Sequence, residues 1–349
     1  MSIRIGGFEG PPNHLAVDES AGTNGVWIEP VPDQLISGDI KRWAEVGNIQ
    51  PVKIPGYWYY AADQISQVDK PATPGEKIIL FLHGGAYVAC SAHPQDGVGV
   101  ITRALVNASP IVKVAFSVEY RLSSGAPLTA ANPFPAAIVD ALSGYRHLRQ
   151  LGYSPENIIV AGDSAGGNLA LALTRYLLEF DSLKPAVPAN EPHLGIPGAL
   201  ILLSPWSDLD TGLKSHPETS SNVANLKSDF LQATNGPFLL YAVNAFVGQL
   251  DKSELSKNRY ISPGSPEATD VNFKGFPRAF IASGDAEICL DGIRLLRDRM
   301  VADLGKGDTG VTYHESVDSI HDYIFLEWHE PQRTQTLREI AAWLDRIYE

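Results

Sequence analysis

Apolar residues in this chain gather into short uninterrupted runs separated by longer stretches with helical spacing. "KIILFL" (77–82), "VKVAFSVEY" (112–120), "NIIVAG" (157–162), "GALILLSPW" (198–206), "RAFIASG" (278–284) and "VTYHESV" (311–317) read as strands. Such runs suit strands buried on both faces of a sheet. "FPAAIVDALSGYRHLRQLG" (134–152), "AGGNLALALTRYLLEF" (165–180), "LDGIRLLRDRMVADLG" (290–305) and "RTQTLREIAAWLDRIY" (333–348) read as helices. Strand and helix alternate, which predicts an α/β fold with a mainly parallel sheet and helices on both faces. In the first fifty residues only 33–46 reads as a helix, and "PVKIPGYWYYAAD" (51–63) reads as an early strand. About seventy residues separate the strand ending at 206 from the one starting at 278, with helical-looking "KSDFLQAT" (227–234) and "GPFLLYAVNAFVG" (236–248) between them. A gap that long in a compact domain marks a lid or an inserted subdomain.

Composition narrows the function classes. The chain has 349 residues, 44% hydrophobic and 19% charged, with a formal charge of −13. An acidic surface repels phosphate backbones and anionic membranes, so neither nucleic acid nor a membrane surface is an expected partner. No run approaches the length of a membrane span. The N-terminal "MSIRIGGFEGPPNHL" has no apolar signal-peptide region, so a cytoplasmic location is expected, against one sequon at Asn107-Ala108-Ser109. Cys90 and Cys289 form no CxxC pair and read as two buried free thiols.

The candidate chemistry starts at Gly162-Asp163-Ser164-Ala165-Gly166, where a strand meets a helix. A nucleophile elbow needs that placement: small neighbours allow the tight turn, and the helix N-terminus offers free N–H groups. A glycine turn that merely packs helix on strand would look the same. One strand-and-helix unit earlier, His83-Gly84-Gly85 follows "KIILFL". Bare glycine amides can approach a ligand oxygen, so Gly84, Gly85 and Ala165 are expected to form an oxyanion hole. Asp163 either touches substrate or cap or is only a turn residue.

Together, "HGGA", "EYRL…NPFPAAIVDAL", "GDSAGGNLAL", "SPW" and "IHDY" resemble, in family order, the hormone-sensitive-lipase-like esterases and lipases of the α/β-hydrolase fold. The resemblance implies a mostly parallel eight-stranded sheet, a helical cap, a Ser–Asp/Glu–His triad and no cofactor. It assigns residues 1–50 and 207–262 to the cap, and 51–206 with 263–349 to the catalytic core. Three departures stand out. The family's His-Gly-Gly-Gly reads His83-Gly84-Gly85-Ala86, and Ala86 and Tyr87 are expected to narrow the acyl side. "YRLSSGAPLTAANPFP" carries extra residues. The acid stretch reads "GDAEICLDG" where the family commonly has Asp-Pro-Leu-x-Asp; that frame puts Glu287 at the acid position, with Asp285 the alternative and Asp291 part of the next helix.

The base of such a triad comes last in chain order. His321, in "SIHDYIF", stands where the family keeps its histidine; His314 lies in a strand and His329 in "WHEP". No metal is expected, because these histidines lack the i, i+4 spacing of a helical zinc site. Nor is a dinucleotide cofactor, because "GGFEG" follows no strand. The expected function is a serine carboxylesterase acting on short- to medium-chain esters, with Ser164, Glu287 and His321 as triad. A lactone or arylformamide hydrolase would use the same residues. A ligand-binding protein on the hydrolase fold is the reading from another class. Analogy with the family offers a homodimer through the last strand and helix.

Overall fold

The computed structural model describes residues 16–349 except 21, 184–186, 213–216 and 232–235. At its centre lies β3 (Ile78–Leu82), every residue buried. Side chains alternate across a strand. Ile78, Leu80 and Leu82 therefore join the core on one face, with Tyr145 of α3 (Ala136–Gln150) and Leu169 of α4 (Ala165–Leu183). Ile79 and Phe81 join the other face, with Ile101 of α2 (Gly99–Ala108) and Trp343 of α9 (Gln332–Tyr348). This is the two-sided helical cover that continuous apolar strands predict.

Among the described residues the sheet has eight strands, in the order β1-β2-β4-β3-β5-β6-β7-β8. β4 (Val114–Val118), β3, β5 (Ile158–Asp163), β6 (Ala199–Leu203), β7 (Arg278–Gly284) and β8 (Val311–Ser316) run parallel. β1 (Gly25–Ile28) and β2 (Ile54–Tyr60) add an antiparallel edge. Because the central strands are parallel, the loops after β3, β5, β6, β7 and β8 meet at one rim, where α/β sheets bind ligands. Among the described residues, no helix is long and apolar enough to cross a membrane.

Several expectations need adjustment. β1 lies within residues 1–50, so part of the segment assigned to the cap is an edge strand of the core sheet. The rest of that assignment is described only from residue 16, and "GGFEG" lies outside the described residues. Past β1, α1 (Gly38–Val46) does reach the inserted segment: Asp39 pairs with Arg259 at 3.0 Å and Trp43 packs edge-on against Tyr260. Of the helix expected at 227–234, residues 227–231 form turns and bends, and 232–234 lie outside the described residues. The second expected helix is present as α6 (Pro237–Val247). The extra residues after β4 form a small bridged loop, Ser124 opposite Ala131. That loop lies between Tyr87, whose carbonyl accepts the Ser123 N–H at 2.8 Å, and α6, whose Phe246 carbonyl accepts the Phe134 N–H at 2.7 Å.

The end of β4 is locked by a buried ion pair. Asp140 of α3 takes the Arg121 guanidinium at 2.8–3.1 Å and the Arg121 backbone N–H at 2.8 Å, with its own side chain fully buried. Removing one partner strands a buried charge. Asp140→Ala is expected to lower stability by about 3–5 kcal/mol, read from urea unfolding.

Candidate active site

β5 ends on a forced turn. Ser164 has φ 48°, a left-handed conformation that side chains other than glycine seldom adopt. Only glycine fits at the crossing behind it: a Cβ on Gly166 would lie 1.9 Å from the Leu82 carbonyl oxygen. Backbone bonds clamp the strained residue. Its N–H donates to Leu203 O at 2.9 Å, and its carbonyl accepts the N–H of Asn168 at 3.1 Å and of Trp206 at 2.9 Å. Such strain, held by its surroundings, is a mark of functional positions.

His321, on the loop after β8, places Nε2 2.9 Å from Ser164 Oγ and Nδ1 2.9 Å from Glu287 Oε2. Glu287 follows β7 and is fully buried. Its other oxygen accepts the Gly284 N–H at 2.8 Å and the Ser204 hydroxyl at 3.2 Å. Ser204, just past β6, also accepts the Asp322 N–H at 3.1 Å, so one hydroxyl links acid and base loops. Nδ1 of His321 is thus met by Glu287 and not by Asp285. Burial raises the Glu287 pKa, and the hydrogen bond from His321 opposes it. An imidazole held by a carboxylate on one nitrogen and facing a hydroxyl with the other can withdraw the hydroxyl proton.

A second carboxylate, outside the residues the sequence points to, also meets His321. Asp322 turns back with φ 50° and sets Oδ2 3.1 Å from His321 Nε2, the nitrogen that also faces Ser164. A neutral imidazole that donates from Nδ1 would point its lone pair at that oxygen. The contact becomes a charge-assisted hydrogen bond once Nε2 is protonated, as it is after His321 takes the Ser164 proton. Burial alone would lower the His321 pKa, but the charge of Asp322, with hydrogen bonds to Asp322, Cys289 and Glu287, holds it well above the ordinary histidine value.

The glycine loop is corrected in one respect. Gly84 does not offer its amide to the site: that N–H donates to Asp163 Oδ1 at 2.9 Å. Asp163 is buried next to the serine, so its carboxylate needs a donor, and Gly84 is the one its turn reaches. Burial, then the charge of Asp322, pushes the Asp163 pKa well above the usual carboxylate range. Asp163 thus clamps the glycine loop to the elbow. Among the described residues the amides of Gly85, Ala86 and Ala165 donate to no backbone acceptor. Gly85 has φ 103°, and Ala86 holds φ 53° where the resemblance expects glycine.

Residues after β4 support this loop from below. Tyr120 stacks on His83 with ring centroids 4.1 Å apart and donates to the His83 carbonyl at 2.6 Å. Burial pulls the His83 pKa down to about 4, so the ring stays neutral. Glu119 accepts the Ser91 hydroxyl and the Ala92 N–H, both at 2.7 Å. Tyr87 is buried against Phe246 of α6, centroids 4.0 Å apart. His314 lies in β8 and His329 packs on Trp328 and Tyr323, and neither is bonded to Ser164 or Glu287. Cys289 contacts His321; burial, chiefly, pushes its thiol up to about 11. Glu287, Cys289 and His321 each bring a potential ligand atom within 4.8 Å of the others. Two of the three already bond each other directly.

Sequence and fold comparisons find related proteins. A family model described as alpha/beta hydrolase fold matches residues 79–325. Esterase LipU of Mycobacterium tuberculosis is 29% identical over 280 residues, spanning 78% of this chain and 79% of that protein. An acetyl-hydrolase of Streptomyces hygroscopicus is 28% identical over 280 residues, 78% of this chain and 76% of its own. A crystal structure of a hormone-sensitive lipase from a metagenome library superposes with a TM-score of 0.62 at 29% identity, covering 84% of this chain and 82% of that one. The chain belongs to the alpha/beta hydrolase fold family, in its hormone-sensitive-lipase-like group of esterases and lipases.

Proposed function

We propose that this carboxylester hydrolase is a serine esterase that works through an acyl-enzyme on Ser164. The observation that carries the reading is the unbroken hydrogen-bond chain from Ser164 Oγ through His321 to Glu287, set on a strained elbow. Ser164 Oγ attacks the ester carbonyl while His321 Nε2 takes its proton. Glu287 holds the tautomer and stabilises the imidazolium. The tetrahedral oxyanion is held by the Gly85 and Ala165 amides, with Ala86 the next free amide along the loop; Gly84 serves by fixing the loop through Asp163. His321 then protonates the departing alcohol, and water repeats the cycle on the acyl group. Parallel hydrolysis of p-nitrophenyl esters from C2 to C12 by wild type and by the Ser164 variant below tests this reading.

The acyl group is short to medium in length. The acetyl-hydrolase among the relatives supports the short end, as does the buried Tyr87 beside the oxyanion loop. Residues 207–262, with α1 packed against them, act as the cap. The remaining partner expected is a second copy across the free edge of β8. Cys90 and Cys289 are free thiols, which supports a reducing, cytoplasmic setting.

Asp322 gives the reaction a pH signature. Catalysis needs neutral His321, and a raised imidazole pKa moves the acid limb of kcat/KM to higher pH. Removing the charge lowers that pKa. Asp322→Asn should therefore shift the acid limb down by about 1–2 pH units, which a pH–rate profile reads directly.

A further inference from the structure

Under the acyl-transfer reading, the leaving oxygen takes its proton from His321 Nε2 and so must come within hydrogen-bond reach of it. Whatever the oxygen carries then lies beside the imidazole. Glu287, fully buried, closes the Nδ1 side of the ring, and Asp322, the next residue in the chain, lies 3.1 Å from Nε2. On the inserted segment stands Phe230, its ring centroid 6.1 Å from that of His321 and the residue 53% exposed.

Phe230 is not simply a loose surface residue. The segment that bears it is stapled to the loop that bears Glu287. Ser221 donates its hydroxyl to Ile288 O at 2.9 Å, and its N–H to Asp291 Oδ2 at 2.9 Å. Asn225 donates to the carbonyls of Asp285 at 3.1 Å and Glu287 at 2.9 Å. Ser228 donates to Ala286 O at 2.9 Å, and Asp229, the residue before Phe230, accepts the Ile288 N–H at 2.8 Å. An aromatic ring is thus fixed beside the base and left half open. Covering it with an apolar group removes apolar surface from water, and a flat ring can also stack.

We infer that Phe230 forms the wall of the leaving-group subsite and selects esters of apolar, ring-bearing alcohols over esters of small alcohols. The inference rests on Ser164 being the nucleophile and concerns the alcohol side only.

The test uses benzyl acetate and ethyl acetate, whose alcohols are similar leaving groups, with ethyl butyrate as an acyl-side control. Phe230→Ala should lower the benzyl-to-ethyl ratio of kcat/KM by about tenfold or more, chiefly through KM for the benzyl ester. Phe230→Tyr should restore it. The butyrate-to-acetate ratio should stay within about twofold, because the acyl group lies elsewhere. An unchanged benzyl-to-ethyl ratio in Phe230→Ala, with hydrolysis still abolished by Ser164→Ala, overturns the inference and leaves the nucleophile standing. Hydrolysis that survives Ser164→Ala overturns the acyl-transfer reading and this inference with it.

Discussion

Ser164→Ala will reduce turnover of a p-nitrophenyl ester by a factor on the order of 10⁶, with the fold unchanged. The variant loses one oxygen. That oxygen is the atom 2.9 Å from His321 Nε2, and no backbone bond of the elbow involves it. The amides that clamp the turn, from Ser164 to Leu203 and from Trp206 to Ser164, remain. Circular dichroism and the melting temperature should therefore match wild type, while the burst of p-nitrophenol disappears. A fall of only tenfold would mean that water, or another group, attacks the ester and that Ser164 only shapes the turn.

Glu287→Gln comes next in size. Glutamine keeps the shape but can present an amide N–H to His321 Nδ1, which favours the wrong tautomer. Its charge is also lost, and with it the stabilisation of an imidazolium formed in a buried site. A drop of about 10⁴ in kcat is expected, with KM little changed. Asp285→Asn should stay within about tenfold of wild type, because His321 Nδ1 is bonded to Glu287 and the Asp285 backbone, not its carboxylate, joins the local network. Kinetics of the two variants side by side decide between the carboxylates; the larger loss in Asp285→Asn would reverse the assignment.

The parallel core strands were legible because burial on both faces leaves an apolar run that no surface pattern imitates. The loops between them carry chemistry, and there the sequence spoke unevenly. Ser164 and His321 could be found because strand, small residues and chain order restrict them. Glu287 and Asp285 lie two residues apart on one loop, and what separates them is a hydroxyl from Ser204 and an amide from Gly284, contacts made only on folding. "SPW" marks a strand end in the sequence, but nothing local gives its serine a role. The Gly84 amide is hidden from the sequence for the same kind of reason: its partner, Asp163, lies far along the chain, and no local pattern announces that bond. Asp322 is likewise not legible, because the left-handed backbone that turns it toward His321 is set by the folded loop.

Other misses are matters of secondary-structure signal. α2 buries Ile101, Leu105 and Val106 at helical spacing, but it follows an irregular loop and no side chain caps its start. β1 has four residues, too few for alternation to register, and becomes a strand only because β2 offers it an edge. The helix expected at 227–234 gives way over its described part because Asn225, Ser228 and Asp229 spend their side chains on the Glu287 loop. Local side-chain bonds to backbone compete with helix formation.

The proposed mechanism makes Ser164 a nucleophile activated by His321. Its most direct test is incubation with a p-nitrophenyl phosphonate, followed by intact mass and peptide mapping. One phosphonyl group per chain on Ser164, appearing as esterase activity disappears and absent in His321→Ala, is the predicted result. An unlabelled Ser164 in a wild-type protein that hydrolyses no ester from C2 to C12 would contradict it and leave a ligand-binding protein built on a hydrolase fold.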